Sequence, residues 1–144
     1  METESLGFWV YGPVVGKARP RVTRNGRFTP KGTREAEARV AAAARAALPE
    51  GAGRPLFGRR QPVAVGVTVW RPLPGSRPKR VEAEPDTYTP DVDNVAKLVM
   101  DAMQGVVLED DAQVTTLYVA KMDRARGMDE CMFVSVRPEG GSHE

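Results

Sequence analysis

Apolar and polar positions alternate most cleanly over Val63–Trp70, where Val63, Val65, Val67 and Val69 interleave with Ala64, Gly66, Thr68 and Trp70. A period of two predicts a β-strand with one face turned to a core. Gly7–Tyr11 is rich in aromatic and β-branched residues and stops at Gly12-Pro13, which predicts another strand. Asn25-Gly26 is a strong signal for a tight hairpin turn, with Arg21–Arg24 and Arg27–Thr29 as its arms and Pro20 and Pro30 limiting their length. Val114–Lys121 and Cys131–Arg137 read as two further strands, joined by a charged turn around Asp123–Gly127.

Two segments carry a helical period. Ala36, Val40, Ala43, Ala44 and Ala47 form a thin apolar stripe on a helix over Arg34–Leu48, with Thr33 as its N-cap. Val92, Val95, Val99, Ala102 and Met103 form the stripe of a second helix, capped by Asp91 or Asp93 and stopped at Gly105. Glu50–Arg60 has no period and reads as loop. Arg71–Pro90 carries five prolines and reads as a long exposed loop. Two main helices and about four to six strands give a single α/β (α+β) domain over residues 1–144, with its core between about residues 7 and 137 and a frayed tail over 138–144.

The chain has 144 residues, 41% hydrophobic and 28% charged, which suits one soluble globular domain. No apolar run is long enough to span a membrane, and Met-Glu-Thr-Glu-Ser at the N-terminus is acidic where a signal peptide is basic. Cys131 is the only cysteine, so an internal disulfide is excluded and a cytoplasmic location is expected. The only histidine, His143, lies beside the C-terminus, which argues against a zinc finger or a Ser-His-Asp triad. Of 21 Lys and Arg, 16 fall between Lys17 and Arg80, and of 19 Asp and Glu, nine fall between Glu82 and Asp111. That asymmetry suggests a polyanion held on one surface and a metal on another.

Six carboxylates are concentrated between Thr89 and Val114: Asp91, Asp93, Asp101, Glu109, Asp110 and Asp111. Like charges brought together are unfavourable unless a cation relieves them, and all-oxygen ligands suit Mg²⁺ or Mn²⁺. Asp91, Asp93 and a carboxylate of Asp110-Asp111 are therefore expected to converge on a dication that faces a phosphate. The purely structural reading of Asp91 and Asp93 is a helix cap, which accounts for one Asp more readily than for a pair. Lys97 lies one turn after Asp93, as either a surface ion pair or a cation for a scissile phosphate, and Asp101 shares that flank. Asn94 adds a side-chain amide beside the pair, and Gln113 either bonds to the site or begins a strand. Lys17, Arg19, Arg21, Arg24 and Arg27, with Arg77, Lys79 and Arg80 in the long loop, are candidate phosphate contacts; the alternative for the hairpin is a solubilising strand edge.

Asp91-x-Asp93-Asn94-x-x-Lys97-x-x-x-Asp101-Ala, followed by Asp110-Asp111-Ala-Gln113, resembles the RusA-type crossover junction endodeoxyribonucleases. Lys17-x-Arg19-Pro-Arg21 and Phe28-Thr-Pro30 are similar to that family as well, and the likeness spans roughly residues 8 to 137. The resemblance implies a small mixed β-sheet flanked by helices. It implies a Mg²⁺-dependent homodimer, with Mn²⁺ as substitute, that resolves four-way Holliday junctions by paired symmetric nicks. It assigns essential acidic roles to Asp91, Asp93 and Asp111 and an essential lysine to Lys97, with Asp110 as an auxiliary because the link after Asp101 varies in length within the family. The rival readings are a Mg²⁺-dependent nucleotide phosphohydrolase and a nucleic-acid-binding module without chemistry.

Overall fold

A computed structural model describes residues 5–18, 21–23, 26–28 and 31–140, with the backbone alone for 21–23 and 26–28. Four long strands make one mixed sheet: β1 (Leu6–Tyr11), β4 (Val63–Trp70), β6 (Val114–Lys121) and β8 (Cys131–Pro138). Their order is β1-β8-β4-β6. Strand β8 pairs antiparallel with both β1 and β4, and β6 runs parallel to β4 along the open edge. The last two of these long strands, β6 and β8, are thus separated in the sheet by β4.

Alternation decides which face is covered. Val63, Val65, Val67 and Val69 of β4, with Leu6, Phe8 and Val10 of β1, are buried in the core. Helices α1 (Lys31–Ala47) and α2 (Val92–Met103) pack there, α1 through Ala36, Val40 and Ala44 and α2 through Val95, Leu98, Val99, Ala102 and Met103. The opposite face carries Trp9 against Trp70 and Phe133, with ring centroids 5.4 and 4.9 Å apart, and no helix among the described residues covers it. Gly7 fits on that face because a Cβ there would meet the Phe133 ring at 2.8 Å.

The expected mixed α+β fold is present, with several local differences. Helix α1 begins at Lys31, so Thr33 is buried inside it, 2% exposed, rather than capping it. Val92, expected in the buried stripe of α2, is the first residue of the helix and is 44% exposed. In the hairpin β2 (Arg21–Thr23) and β3 (Gly26–Phe28), Gly26 pairs with Thr23, one step earlier than an Asn25-Gly26 turn requires. The Asn-Gly register would set Pro30 opposite Arg21, where a proline has no N–H for the ladder. The long loop and the charged turn each contribute a short strand, β5 (Ala83–Glu84) and β7 (Arg124–Ala125), which pair with each other. Strand β8 includes Pro138, and Glu139 donates its N–H to the Pro62 carbonyl, so the described end of the expected tail is tied to the sheet.

Leu98 is fully buried and Lys97 beside it is exposed. Urea unfolding of Leu98→Ala is expected to show a loss of about 2–5 kcal/mol through lost burial and a cavity. Lys97→Ala is expected to stay within about 0.5 kcal/mol of the parent.

Candidate active site

The start of α2 is held from two sides. Pro90 and Asn94 pack on Gly16, where a Cβ would stand 2.8 and 2.9 Å from their Cβ atoms, and the Lys17 N–H donates to the Asn94 carbonyl at 2.9 Å. Glycine is required at position 16 by that close approach. Asp91 occupies the N-cap position, yet its carboxylate makes no capping hydrogen bond. Asp93 and Lys97 are both exposed, and no ion pair joins them. Neither purely structural role, cap or i,i+4 pair, is thus taken up by these side chains. Asp101 on the same flank is committed elsewhere, 3.2 Å from Lys17 Nζ.

Beyond α2, Gly105 at φ 86° reverses the chain, and Val106–Leu108 are buried as it returns. Asp110 then caps a short 3-10 helix, Asp111–Gln113. Its side chain accepts from the Ala112 N–H at 3.0 Å, while the Gln113 side chain accepts from the Asp110 N–H at 2.9 Å, a reciprocal capping box. Asp110 is thus the carboxylate of this pair with a structural task. Gln113 is buried. Its Oε1 also accepts from the Glu109 N–H at 2.7 Å, and its Nε2 donates to the carbonyls of Phe57, Gly58 and Gln61 at 3.0–3.1 Å.

Asp91 and Asp93 stand at one end of α2, and Asp110 and Asp111 lie past the other. The turn at Gly105 keeps Leu108 against the C-terminal end of α2, where its N–H donates to the Met103 carbonyl at 3.2 Å. Among the described residues no three His, Cys, Asp or Glu side chains lie close enough to hold a metal ion. The expected convergence of Asp91, Asp93 and Asp110-Asp111 is not seen among the described residues of a single chain.

Beneath Asp91 lies a group of charges that inspection of the sequence did not single out. Arg71 donates to both carboxylate oxygens of Asp86 at 2.9 and 3.0 Å, and to the Thr89 carbonyl at 3.0 Å. Lys121 donates to the Tyr88 and Pro90 carbonyls and lies 3.9 Å from Asp86. Arg124 is also 3.9 Å from Asp86 and stacks on the Tyr88 ring at 4.9 Å. Burial alone would raise the Asp86 pKa, but the Arg71 hydrogen bonds and charge, the Tyr88 N–H and Lys121 together hold it below the ordinary carboxylate value. A signal existed: Arg71 continues the odd-numbered series Val63 to Val69 by one step and so points inward. The loop expected to be exposed is pinned by this pair.

Of the candidate phosphate contacts, Arg19 and Arg24 lie outside the described residues, as do the side chains of Arg21 and Arg27. Lys17 is turned to Glu37 and Asp101, and the Glu37 hydrogen bond raises its pKa. Arg77 makes a bidentate pair with Glu84. Lys79 and Arg80 are exposed. A cleft of about 570 Å³ near Asp110 is lined by two arginines the sequence reading left in a loop, Arg59 and Arg60.

The family model for endodeoxyribonuclease RusA matches residues 11–128, which takes in both acidic segments, Lys97 and Gln113. This chain belongs to the RusA endodeoxyribonuclease family. The chain is also 35% identical over 130 residues to YqaN of Bacillus subtilis (strain 168), an uncharacterized protein, across 82% of this chain and 87% of the relative. RusA proteins are endodeoxyribonucleases that act on Holliday junctions, and this chain is placed among nucleases accordingly. Among the described residues no helix is long and apolar enough to cross a membrane.

In this RusA-family chain Asp86 is one carboxylate facing three cations, so Asp86→Asn leaves buried positive charge uncompensated. A loss of about 3–5 kcal/mol in urea unfolding at neutral pH is expected. Because the folded pKa of Asp86 is depressed, its contribution is present above the unfolded value of about 3.9 and is lost as pH falls through the lower folded value. The stability gap between parent and variant is therefore expected to narrow below about pH 4 in the same measurement.

Proposed function

We propose that this chain is a Mg²⁺-dependent endonuclease that resolves four-way Holliday junctions by paired symmetric nicks, working as a homodimer, with Mn²⁺ able to substitute. The observation that carries this reading is the pair Asp91 and Asp93 at the start of α2: neither side chain caps the helix or enters an ion pair among the described residues. In a family of DNA nucleases, that uncommitted charge is best explained as a ligand set for a hard cation. When bound, such a cation lowers the pKa of a coordinated water and polarises a phosphoryl oxygen. Asp91 and Asp93 hold it, Asp111 supplies the third carboxylate, and Asp110 supports Asp111 by capping its turn. Lys97, one helical turn from Asp93, stabilises the charge that develops on the scissile phosphate. Asn94 and Asp101 support the helix start through the Lys17 segment.

The distance between the two acidic segments bears on how the site is completed. Strand β6 is an unpaired sheet edge that begins just after Asp111 and ends at Lys121, whose Nζ bonds to the Pro90 carbonyl beside Asp91. Thr115 to Tyr118 along it are exposed. Antiparallel pairing of β6 with the β6 of a second copy would carry Asp111 of one protomer to the Asp91–Asp93 end of its partner. A two-fold dimer then holds two equivalent sites, matching the symmetry of a four-way junction.

Mixing two inactive variants tests this arrangement. Asp93→Asn and Asp111→Asn are each expected to bind labelled four-way junction yet not cut it in Mg²⁺. Mixed and allowed to exchange subunits, they form heterodimers with both substitutions in one site and none in the other, and single-strand nicking of the junction is expected to return. Absence of recovery, with subunit exchange verified, would place each site within one chain. Failure of the parent protein to cut a junction in Mg²⁺ or Mn²⁺ would overturn the nuclease reading itself.

A further inference from the structure

The segment Gly58–Gln61 is built in an unusual way for a surface loop. Arg60 has φ 63°, the one non-glycine residue with positive φ among those described. That conformation is strained for a residue with a Cβ and persists only where the surroundings enforce it. The surroundings are the buried amide of Gln113, which gathers the carbonyls of Phe57, Gly58 and Gln61 on one side and the N–H groups of Glu109 and Asp110 on the other. One side chain thus fixes the arginine loop and the turn that carries Asp111 in a constant relation.

Arg59 and Arg60 are both exposed, and they line one cleft together with Glu109 and Asp110. Opposite charges that share a cleft usually close on each other. Here no nitrogen of Arg59 or Arg60 comes within ion-pair distance of a carboxylate among the described residues. The cationic wall and the acidic wall remain apart, and Asp110 keeps its carboxylate on its own capping bond.

We infer that Arg59 and Arg60 form a phosphate-contacting wall for the DNA backbone, set by Gln113 beside Asp111. The inference rests on the nuclease reading proposed above and adds to it where the strand runs: along the cleft past the start of β6. Guanidinium groups suit this task because their fixed fork of donors matches phosphate oxygens. Left-handed backbone at Arg60 is the cost of aiming the pair into the cleft, offset by the hydrogen bonds of Gln113.

The test measures binding of a labelled four-way junction against KCl for the parent, for Arg59→Ala/Arg60→Ala, and for Arg59→Lys/Arg60→Lys. Two lost phosphate contacts should make the slope of log affinity against log salt shallower by roughly 1.8 for the alanine pair, while the lysine pair should keep most of the slope. Both side chains are exposed, so the fold is expected to survive, and unfolding curves check this. A slope unchanged in the alanine pair, with junction cutting intact, would overturn this inference and leave the nuclease reading standing. A parent protein that binds no DNA would overturn both.

Discussion

One buried ion pair holds the working end of this molecule in place. Arg71 and Asp86 meet through two hydrogen bonds, with side chains 8% and 0% exposed, at the point where the sheet gives way to the loop before α2. A buried pair is weak as a source of stability, because desolvation offsets attraction, but it is strongly directional. Here the direction matters. With Lys121, Arg71 draws in the carbonyls of Tyr88, Thr89 and Pro90, the three residues that precede Asp91. Twenty residues rich in proline become a fixed lead-in to the helix, and Asp91 and Asp93 inherit a defined position.

The same economy is visible at the other acidic segment, with hydrogen bonds in place of charge. Gln113 uses its whole amide on five backbone groups from two loops, and Asp110 uses its carboxylate on a cap. These are structural polar groups, fully satisfied. Against them Asp91, Asp93 and Lys97 stand out by lacking such commitments.

Helix α2 lies between the two acidic segments as a spacer of fixed length, and β6 runs back along the same distance as an open edge. An open parallel edge strand with exposed Leu117 and Tyr118 is a surface that a soluble protein ordinarily protects or uses. The outer sheet face, with Trp9, Trp70 and Phe133 in contact, is likewise covered by no helix among the described residues.

Local patterning in the sequence was enough to fix the long elements. The period of two in Val63–Trp70 and the helical stripe through Val95, Val99 and Met103 depend on short-range geometry, and burial follows from them directly. The spacing of Asp93, Lys97 and Asp101 likewise places them on one flank of a helix whatever the rest of the chain does. Relations between distant segments were not legible, because they depend on which strands become neighbours. Only the tertiary structure sets β4 between β6 and β8, turns Arg71 inward onto Asp86, draws Lys17 to Asp101, and puts Asp111 at the far end of α2 from Asp91. The physical reason is that periodicity fixes which way a side chain faces, whereas the partner it meets is set by the packing of the whole sheet and helix layer.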